Sequence, residues 1–306
     1  MATSERLPRD AYVKQHVLRS DIATIEAPSS WIQSTDGVRL VVKSRGAGAA
    51  TCLLVHGFAD GAYVWDTFMQ ARAAVERTVA VDLRGHGDSD WDRCGNYDIA
   101  THTADVNQII DVLAEERIIL IGHSLGAHVS IRLAVMRPEL LAAVVLVDFG
   151  PDLNEEGMLH GRENLRASFH HSNSIGAYAN FLGRSRPLLS AERCEQLATS
   201  ALRPVGGGYE LRLDPALADF EEPFDQHDES ILWRMLGGIR CPTLVVRGAG
   251  SAMLTRAVAE SMVRVLPRGR LSTISGAGHA VMTDNPDEFN TVVGRFVEQI
   301  SRGAVG

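Results

Sequence analysis

Cysteine is scarce in this chain, and the few cysteines form no metal-binding or disulfide pattern. The 306 residues include four cysteines, far apart at Cys52, Cys94, Cys194 and Cys241. Structural zinc sites use closely spaced Cys and His ligands, and no CxxC or HExxH pair occurs here. Small disulfide-held secreted domains have denser cysteine frameworks. The sequence therefore predicts a chain without a metal or another cofactor and favours a reducing cytoplasm as its location.

Long apolar runs and clusters of basic residues are missing as well. No stretch approaches the roughly 20 apolar residues that a membrane-spanning helix needs. The first residues, 1–6, contain no apolar segment of the kind found in secretory signals. The formal net charge is -8, with no run of Lys or Arg, which argues against nucleic acid or membrane lipid as a partner. We expect a cytoplasmic protein with a small-molecule substrate, and the oligomeric state stays open.

The pattern of apolar residues indicates an α/β fold. Apolar residues make up 45% of the chain, enough for a sizeable core. Continuous apolar runs, typical of strands buried on both faces, alternate with helical patterns such as 99–113. The alternation predicts a mostly parallel sheet with helices on both faces, preceded by two antiparallel strands within 31–43. The buried-strand runs lie at 51–55, 78–82, 118–121, 143–148, 242–248 and 270–274.

The alternation stops over residues 150–241, a gap much longer than an ordinary strand-to-strand crossover. Short helical patterns in this gap predict an inserted helical cap, which we bound at 152–238. The α/β core is then 31–151 together with 239–306, and residues 1–30 form an N-terminal extension. An arginine in a pocket beneath the cap would favour an anionic substrate. Cap side chains that could reach such a pocket are His160, Arg162, Arg166, Tyr178, Arg186 and Trp233.

A G-x-S-x-G pattern at 122–126 joins a buried-strand run to a helical pattern. The run 118–121 precedes it, and apolar residues from Leu125 onward follow at helical spacing. Strand, tight turn and helix are the context of a nucleophile elbow, in which a serine in strained backbone geometry stands at a helix N-terminus. Ser124 is therefore the candidate nucleophile. The alternative is a Gly-rich turn with an ordinary surface serine.

A serine nucleophile requires a base within hydrogen-bond reach. His279 lies in a Gly-rich loop, 275–279, directly after the last predicted strand. Since the carboxyl ends of parallel strands meet at one edge of a sheet, His279 can lie beside Ser124 despite their distance along the chain. His86 and His123 belong to motifs of the core, and further histidines fall in the cap. His279 is therefore the candidate base.

Four motifs together resemble the α/β-hydrolase superfamily. They are His-Gly-Phe at 56–58, Asp-Leu-Arg-Gly-His-Gly-Asp-Ser at 82–89, Gly-His-Ser-Leu-Gly at 122–126 and Gly-Ala-Gly-His at 276–279. Their order and spacing match that superfamily from residue 31 to the C-terminus, apart from the cap. The resemblance implies the α/β-hydrolase fold, with a mostly parallel twisted sheet and an inserted helical cap, and an esterase-like serine hydrolase activity.

The triad acid departs from the usual pattern of this superfamily. The resemblance implies an acid in the loop after the strand that follows the cap, and that loop, 248–254, contains no carboxylate. Asp148, at the end of the strand beside the elbow strand, is the candidate that would orient His279. The alternative is that Asp148 only braces the loop 149–151. Asp148 with the downstream Ser251 resembles a subgroup with a displaced acid, which includes the acetamidomethylene-succinate hydrolases.

An oxyanion in the transition state needs two hydrogen-bond donors that point at one site. The candidates are the backbone N–H of Leu125, directly after the elbow serine, and that of Phe58, which follows the His-Gly pair. Asp82, Arg84 and Asp88 are interpreted as structural residues that fix the loop beside the site.

The leading hypothesis is a serine hydrolase in which Ser124 attacks a carbonyl and water releases the acyl-enzyme. The bond could belong to an ester, lactone, thioester or amide, or be a C–C bond beside a ketone. A second hypothesis keeps the fold without hydrolysis: a cofactor-free lyase, cyclising enzyme or dioxygenase of natural-product metabolism, with His279 as the base. A binding module without activity is the third, and the intact Ser124 and His279 pair argues against it.

Overall fold

The structure, a computed structural model, describes residues 29–48, 50–113, 117–220 and 229–303. The predicted N-terminal extension, 1–30, lies almost entirely outside the described residues. No helix within the described ranges is long and apolar enough to cross a membrane. Within the same ranges, no group of three or more His, Cys, Asp and Glu side chains is arranged to hold a metal ion.

Eight strands form a main sheet, and two more form a separate hairpin. The strands are β1 (Ser29–Gln33), β2 (Arg39–Arg45), β3 (Thr51–Val55), β4 (Arg77–Val81), β5 (Ile118–His123), β6 (Leu141–Val147), β7 (Leu202–Val205), β8 (Gly208–Leu211), β9 (Thr243–Gly248) and β10 (Gly269–Ile274). The order in the main sheet is β1-β2-β4-β3-β5-β6-β9-β10. Strand β2 is antiparallel to β1 and β4, and all other pairs are parallel. The predicted mostly parallel sheet is confirmed.

Helices cover both faces of the main sheet. Besides short 3₁₀ turns at Ala62–Trp65 and Pro215–Ala218, the helices are α1 (Asp66–Arg72), α2 (Ile99–Leu113), α3 (Leu125–Met136), α4 (Glu155–His170), α5 (Ile175–Ser185), α6 (Ala191–Ala201), α7 (Glu229–Gly238), α8 (Arg256–Val265), α9 (Val281–Asp284) and α10 (Pro286–Ser301). Helices α2, α3 and α8 bury their apolar stripes on one face, and α1 and α10 bury theirs on the other. This is the α/β-hydrolase fold that the motifs implied.

The central strands are apolar throughout because both of their faces are covered. Every residue of β3, β5 and β6 is buried. Side chains alternate along a strand, so Leu53 and Val55 join the apolar layer under α2 and α3, while Cys52 and Leu54 join the layer under α1 and α10. Each buried aliphatic side chain contributes roughly 1.5–3 kcal/mol. The two layers fix the sheet, and with it the strand ends that carry the site.

The cap segment between β6 and β9 consists mainly of helices α4, α5 and α6. Asn154, Ser174 and Ser190 each begin one of these helices, and their side chains accept hydrogen bonds from the first-turn amides. A third apolar cluster, with Leu182 and Leu197 among its members, holds the cap together. The hairpin β7–β8 was not expected, because its strands are short and half-exposed and so lack a buried-strand pattern.

The last helix of the cap segment packs on the core. Leu232 and Leu236 of α7 belong to the same apolar cluster as Leu133 of α3. The boundary at residue 238 remains a prediction, and this packing favours an earlier end of the cap, before α7.

Candidate active site

The cap and the carboxyl ends of the parallel strands enclose a cavity of about 400 Å³. Ser124, His279 and Phe58 line it on the core side. Helices α4 and α5 and the end of the hairpin line it on the cap side. The structure therefore brings the candidate nucleophile, the candidate base and one candidate oxyanion donor to the same cavity. Apolar side chains form most of its wall: Met158, Leu165, Phe181, Leu182, Leu188, Leu211, Leu213 and Met253.

Ser124 stands between the end of β5 and the first residue of α3 in a strained conformation. Its φ of 50° and ψ of -115° are rare for a residue with a side chain. The strain is held in place by the fold, because the Ser124 amide donates to the Val147 carbonyl at 3.0 Å. A Cβ at Gly122 or Gly126 would overlap backbone carbonyl oxygens of neighbouring segments. This is the geometry that the G-x-S-x-G pattern and its flanks predicted.

Asp148 and His279 are in direct contact. The Nδ1–H of His279 donates to Asp148 Oδ2 at 2.8 Å, and Asp148 is fully buried with φ 51°. The other carboxylate oxygen accepts the amide N–H of Gly248 at 3.0 Å. Because the bond to Asp148 holds the proton on Nδ1, the Nε2 atom of His279 is left as the proton acceptor.

The loop after β9 contains no carboxylate, but it supports Asp148. The hydroxyl of Ser251 donates to Asp148 Oδ2 and accepts the amides of Met253 at 3.1 Å and Leu254 at 3.2 Å. Ser251 therefore ties the loop to the acid on the neighbouring strand. The sequence pattern pointed to Ser251 but did not give it this role, since a serine in a Gly-rich loop has many possible partners.

The two candidate oxyanion donors belong to segments that are packed together. Leu125 is buried at the start of α3, and Phe58 lies in the loop after β3. A Cβ at Gly57 would come within 3.1 Å of the Ser124 Cβ. Ala59, two residues after Gly57, has a positive φ of 64°. The absence of a side chain at 57 therefore allows the loop after β3 to lie directly against the elbow.

The loop after β4 is held by buried charge pairs outside the cavity wall. Asp82 accepts the amides of Ala62 at 2.6 Å and Asp88 at 3.1 Å. Arg84 is almost fully buried and pairs with three neighbouring carboxylates at 2.6, 2.7 and 2.9 Å. Neither Asp82 nor Arg84 nor Asp88 lines the cavity. Their contacts are those of the structural residues that the sequence interpretation described.

Three ionisable residues of the cavity were not predicted from the sequence to line it. Asp60 accepts from Arg186 at 3.3 Å and lies 3.8 Å from Nδ1 of His123. The Nε2–H of His123 donates to the His279 carbonyl at 2.9 Å, and burial lowers the pKa of His123 to about 3, so its ring is neutral. Asp284 accepts the Gly278 amide at 2.8 Å, and burial raises the pKa of this carboxyl. The sequence did offer one signal for Asp60: it is a charged residue directly after His-Gly-Phe-Ala, next to a predicted oxyanion donor.

Of the six cap candidates, His160, Arg162, Tyr178 and Arg186 line the cavity. Burial raises the pKa of Tyr178 to about 12, so its hydroxyl stays protonated. The other two candidates, Arg166 and Trp233, do not line the cavity. Arg166 donates to the Ala218 carbonyl at 3.2 Å and is mostly exposed, and Trp233 donates to Asp152 at 3.0 Å against the core.

Residues 52–292 match the model of the alpha/beta hydrolase family, and the chain belongs to this family. It is 29% identical over 262 residues to 2-(acetamidomethylene)succinate hydrolase of Mesorhizobium japonicum, covering 85% of this chain and 92% of that one. A Bacillus subtilis (strain 168) protein provisionally named 2-succinyl-6-hydroxy-2,4-cyclohexadiene-1-carboxylate synthase is 26% identical over 274 residues, with 88% and 98% covered. The crystal structure of E-2-(acetamidomethylene)succinate hydrolase superposes with a TM-score of 0.78 at 26% identity, covering 88% of this chain and 98% of that one. The protein is an enzyme, a hydrolase of the α/β fold.

Proposed function

We propose that this protein is a serine hydrolase that forms an acyl-enzyme on Ser124. The observation that carries the proposal is the 2.8 Å contact between Asp148 and His279 at the edge of the cavity that Ser124 also lines. A buried carboxylate on Nδ1 keeps Nε2 able to accept a proton. The strained elbow exposes the serine hydroxyl to the cavity at the N-terminus of α3, where developing negative charge is stabilised.

The proposed reaction proceeds in two halves. In the first, Ser124 Oγ attacks the substrate carbonyl, its proton passes to His279 Nε2, and the amides of Leu125 and Phe58 stabilise the oxyanion. Collapse of this intermediate breaks the bond to the leaving group, which takes the proton from His279. In the second half a water gives its proton to His279 and its oxygen to the acyl carbon. Ser124 leaves with that proton, and the carboxylic acid product is released.

The cavity supports a small substrate with an anionic group and an apolar part. Its volume of about 400 Å³ suits a small molecule. Arg162 and Arg186 supply guanidinium groups on the cap side, and guanidinium is the side chain best matched to a carboxylate. The Mesorhizobium japonicum relative is named for a succinate derivative. We therefore propose a carboxylate-bearing acyl compound as the substrate class.

A fluorophosphonate probe tests the acyl-enzyme proposal. Ser124 Oγ would attack the phosphorus, fluoride would leave, and the hydroxyl proton would pass to His279. We expect labelling of the wild type at Ser124 and no labelling of Ser124→Ala. Ser185→Ala is the matched control, because Ser185 lines the same cavity but donates to the Phe181 carbonyl within α5 at 3.0 Å. Labelling that survives Ser124→Ala would contradict the proposal.

A second candidate function keeps the base and the cavity without an acyl-enzyme. The relative provisionally named as a synthase favours it, since its name describes no hydrolysis. His279 would then remove a proton from the substrate, and Ser124 would serve as a hydrogen-bond donor. Turnover of a candidate substrate that survives Ser124→Ala but not His279→Ala would support this second function over the first.

A further inference from the structure

His86 is a fully buried histidine whose two ring nitrogens have different partners. Nδ1 lies 2.8 Å from the Arg84 carbonyl, and Nε2 accepts the amide N–H of Ala59 at 3.2 Å. A carbonyl only accepts hydrogen bonds, so the proton must be on Nδ1. The lone pair on Nε2 is then aimed at the loop after β3. The two contacts together fix the tautomer, and burial keeps the ring neutral by lowering the pKa of His86 to about 3.

The amide that His86 holds belongs to a strained residue. Ala59 has a φ of 64°, in a region that residues with side chains seldom occupy. Such a conformation persists only where the surroundings hold it. Ala59 directly follows Phe58, and the rings of Phe58 and His86 form a T-shaped contact at a centroid distance of 5.8 Å. His86 therefore contacts this loop twice, through a ring on one residue and through the backbone of the next.

The loop that carries His86 is itself anchored on two sides. The Gly87 amide donates to the Arg212 carbonyl at 2.7 Å, and the Asp214 amide donates to the Gly85 carbonyl at 2.8 Å. These bonds attach the residues on both sides of His86 to the segment after the hairpin. Leu213, between Arg212 and Asp214, lines the cavity. The imidazole thus has little freedom to follow the loop after β3 if that loop moves.

We propose that His86 is a positioning residue, which holds the peptide after Phe58 so that the Phe58 amide N–H points at the oxyanion. This inference rests on the proposed acyl-enzyme mechanism, because only that mechanism requires an oxyanion donor at this place. His86 touches no reacting atom. Its contribution lies in keeping a donor at the right angle before the reaction begins.

Two neighbouring histidines, whose rings contact that of His86, provide a comparison. His56 lies 5.1 Å and His102 6.3 Å from His86, centroid to centroid. His56 Nε2 accepts the Leu83 amide at 3.0 Å and so holds the loop after β4. Neither ring nitrogen of His102 has a hydrogen bond of ordinary geometry among the described residues. Besides its ring contacts, His102 has a weaker contact with the backbone of Tyr97. His102 is therefore the matched control: equally buried, but without a bond to the loop after β3.

Two substitutions at His86 separate the two hydrogen bonds. The amide of His86→Asn takes the place of Nδ1 and keeps a donor for the Arg84 carbonyl, but leaves Ala59 without an acceptor. The longer His86→Gln places its oxygen near Nε2 and keeps the acceptor for Ala59 while losing the donor. His102→Asn is the control. The readout is phosphonylation of Ser124 by a fluorophosphonate, separated into KI and kinact, since the phosphoryl oxygen occupies the oxyanion position.

We expect His86→Asn to lower kinact roughly 30-fold, with KI within about threefold of the wild type, because a misplaced donor affects the transition state only. His86→Gln should restore kinact to within about threefold, and His102→Asn should leave it unchanged. Equal kinact values for His86→Asn and His86→Gln, or a wild-type value for His86→Asn, would overturn the proposal. A wild type that is not labelled at Ser124 would instead contradict the proposed function.

A second measurement applies if His86→Asn does not fold. In the ¹⁵N-labelled wild type, the hydrogen bond should give a scalar coupling between the Ala59 amide nitrogen and His86 Nε2. In addition, His86→Gln should fold and should have a kinact close to that of the wild type. The inference is wrong if the coupling is absent. It is also wrong if His86→Gln folds but loses as much kinact as we expect for His86→Asn.

Discussion

The edge of the sheet and the cap both line the cavity, but they hold their polar groups in different ways. At the edge of the sheet, Asp148 receives three donors, from Gly248, Ser251 and His279, and its own backbone is tied to β9. In the cap, Arg186 has a carboxylate partner in Asp60 at 3.3 Å and is about one-third exposed. The edge of the sheet thus holds the proposed catalytic groups in place, whereas Arg186 in the cap stays partly accessible to a ligand. Changes at the sheet should act on kcat, and changes in the cap should act on KM.

The largest effect is expected for Asp148→Asn. The new amide N–H₂ would face His279 Nδ1 and favour the tautomer with the proton on Nε2, which cannot accept a proton from Ser124. We expect the labelling rate and kcat to fall about 10⁴-fold, with the thermal unfolding transition still cooperative.

Asp284→Asn is the control for this experiment. Asp284 lies close to His279 in the cavity wall, but its contact is with the Gly278 amide, and an asparagine oxygen can still accept that bond. We expect a loss smaller than about tenfold. Similar losses for both variants would show that any amide in this region is harmful, and would remove Asp148 from its proposed role.

The next largest effect is expected in the cap, where Arg186→Gln should weaken the binding of an anionic substrate. The test uses two esters that differ at one end, mono-4-nitrophenyl succinate with a carboxylate and 4-nitrophenyl butyrate with a methyl group. We expect KM for the succinate ester to rise roughly 30-fold with kcat little changed, because a hydrogen bond to a charged group is worth about 2 kcal/mol. KM for the butyrate ester should change by less than about threefold.

Arg166→Gln is the matched cap variant, because Arg166 lies outside the cavity and is more than half exposed. It should leave both esters unaffected. An equal rise of KM for both esters in Arg186→Gln would mean that Arg186 shapes the cavity without recognising charge. A fall of kcat with an unchanged KM would contradict the division between sheet and cap.

A smaller effect is expected for Ser251→Ala, which removes one of the three donors to Asp148. The carboxylate keeps its bonds to Gly248 and His279, but it gains freedom to rotate away from the imidazole. We expect kcat for 4-nitrophenyl butyrate to fall roughly tenfold, the equivalent of about 1.4 kcal/mol, with KM unchanged. A rate equal to that of the wild type would show that the bond from Ser251 serves only the loop after β9.

The smallest effect is expected for His102→Leu, which should change stability without changing kinetics. Burial lowers the pKa of His102 well below its ordinary value, so the unfolded chain binds a proton below about pH 6.5 that the folded chain does not. Stability is therefore lost as the pH falls, and the leucine variant lacks this loss. We expect the free energy of unfolding of the leucine variant to exceed that of the wild type by about 1 kcal/mol at pH 7. At pH 5.5 this difference should be larger by about a further 1 kcal/mol. Urea unfolding at both pH values measures this, and an equal gain at both would contradict the argument.

The sequence predicted the parts of the molecule whose causes are local. A continuous apolar run needs only two covered faces to become a central strand, and the bounds of α2 agree with the predicted 99–113. The elbow also follows from neighbouring residues, since Gly122 and Gly126 allow close packing on either side of Ser124. The pairing of Asp148 with His279 could be proposed because the loop after β9 contains no carboxylate and Asp148 ends the strand beside the elbow strand.

The cap was predictable as a helical insertion but not in its details. Helical spacing shows which face of α5 is apolar, but whether Arg186 points into the cavity depends on how α5 sits over the sheet. Arg166 has the same residue type as the lining residues Arg162 and Arg186, and only tertiary packing directs Arg166 and Trp233 elsewhere. His86 was assigned to a fold motif for the same reason: its contact with Ala59 spans 27 residues of sequence.

The position of β9 beside β6 has a consequence for protein synthesis, because the residues of the site are added to the chain at different times. The two strands pair at Val144 and Thr243, although the whole cap segment separates them. A nascent chain that ends before β9 already contains Ser124 and Asp148, but the three groups that donate to that carboxylate have not been synthesised. The edge of β6 stays open during the same interval. On the proposed mechanism we expect a product truncated within the cap to be inactive, and we expect the unpaired edge of β6 to make it prone to aggregation.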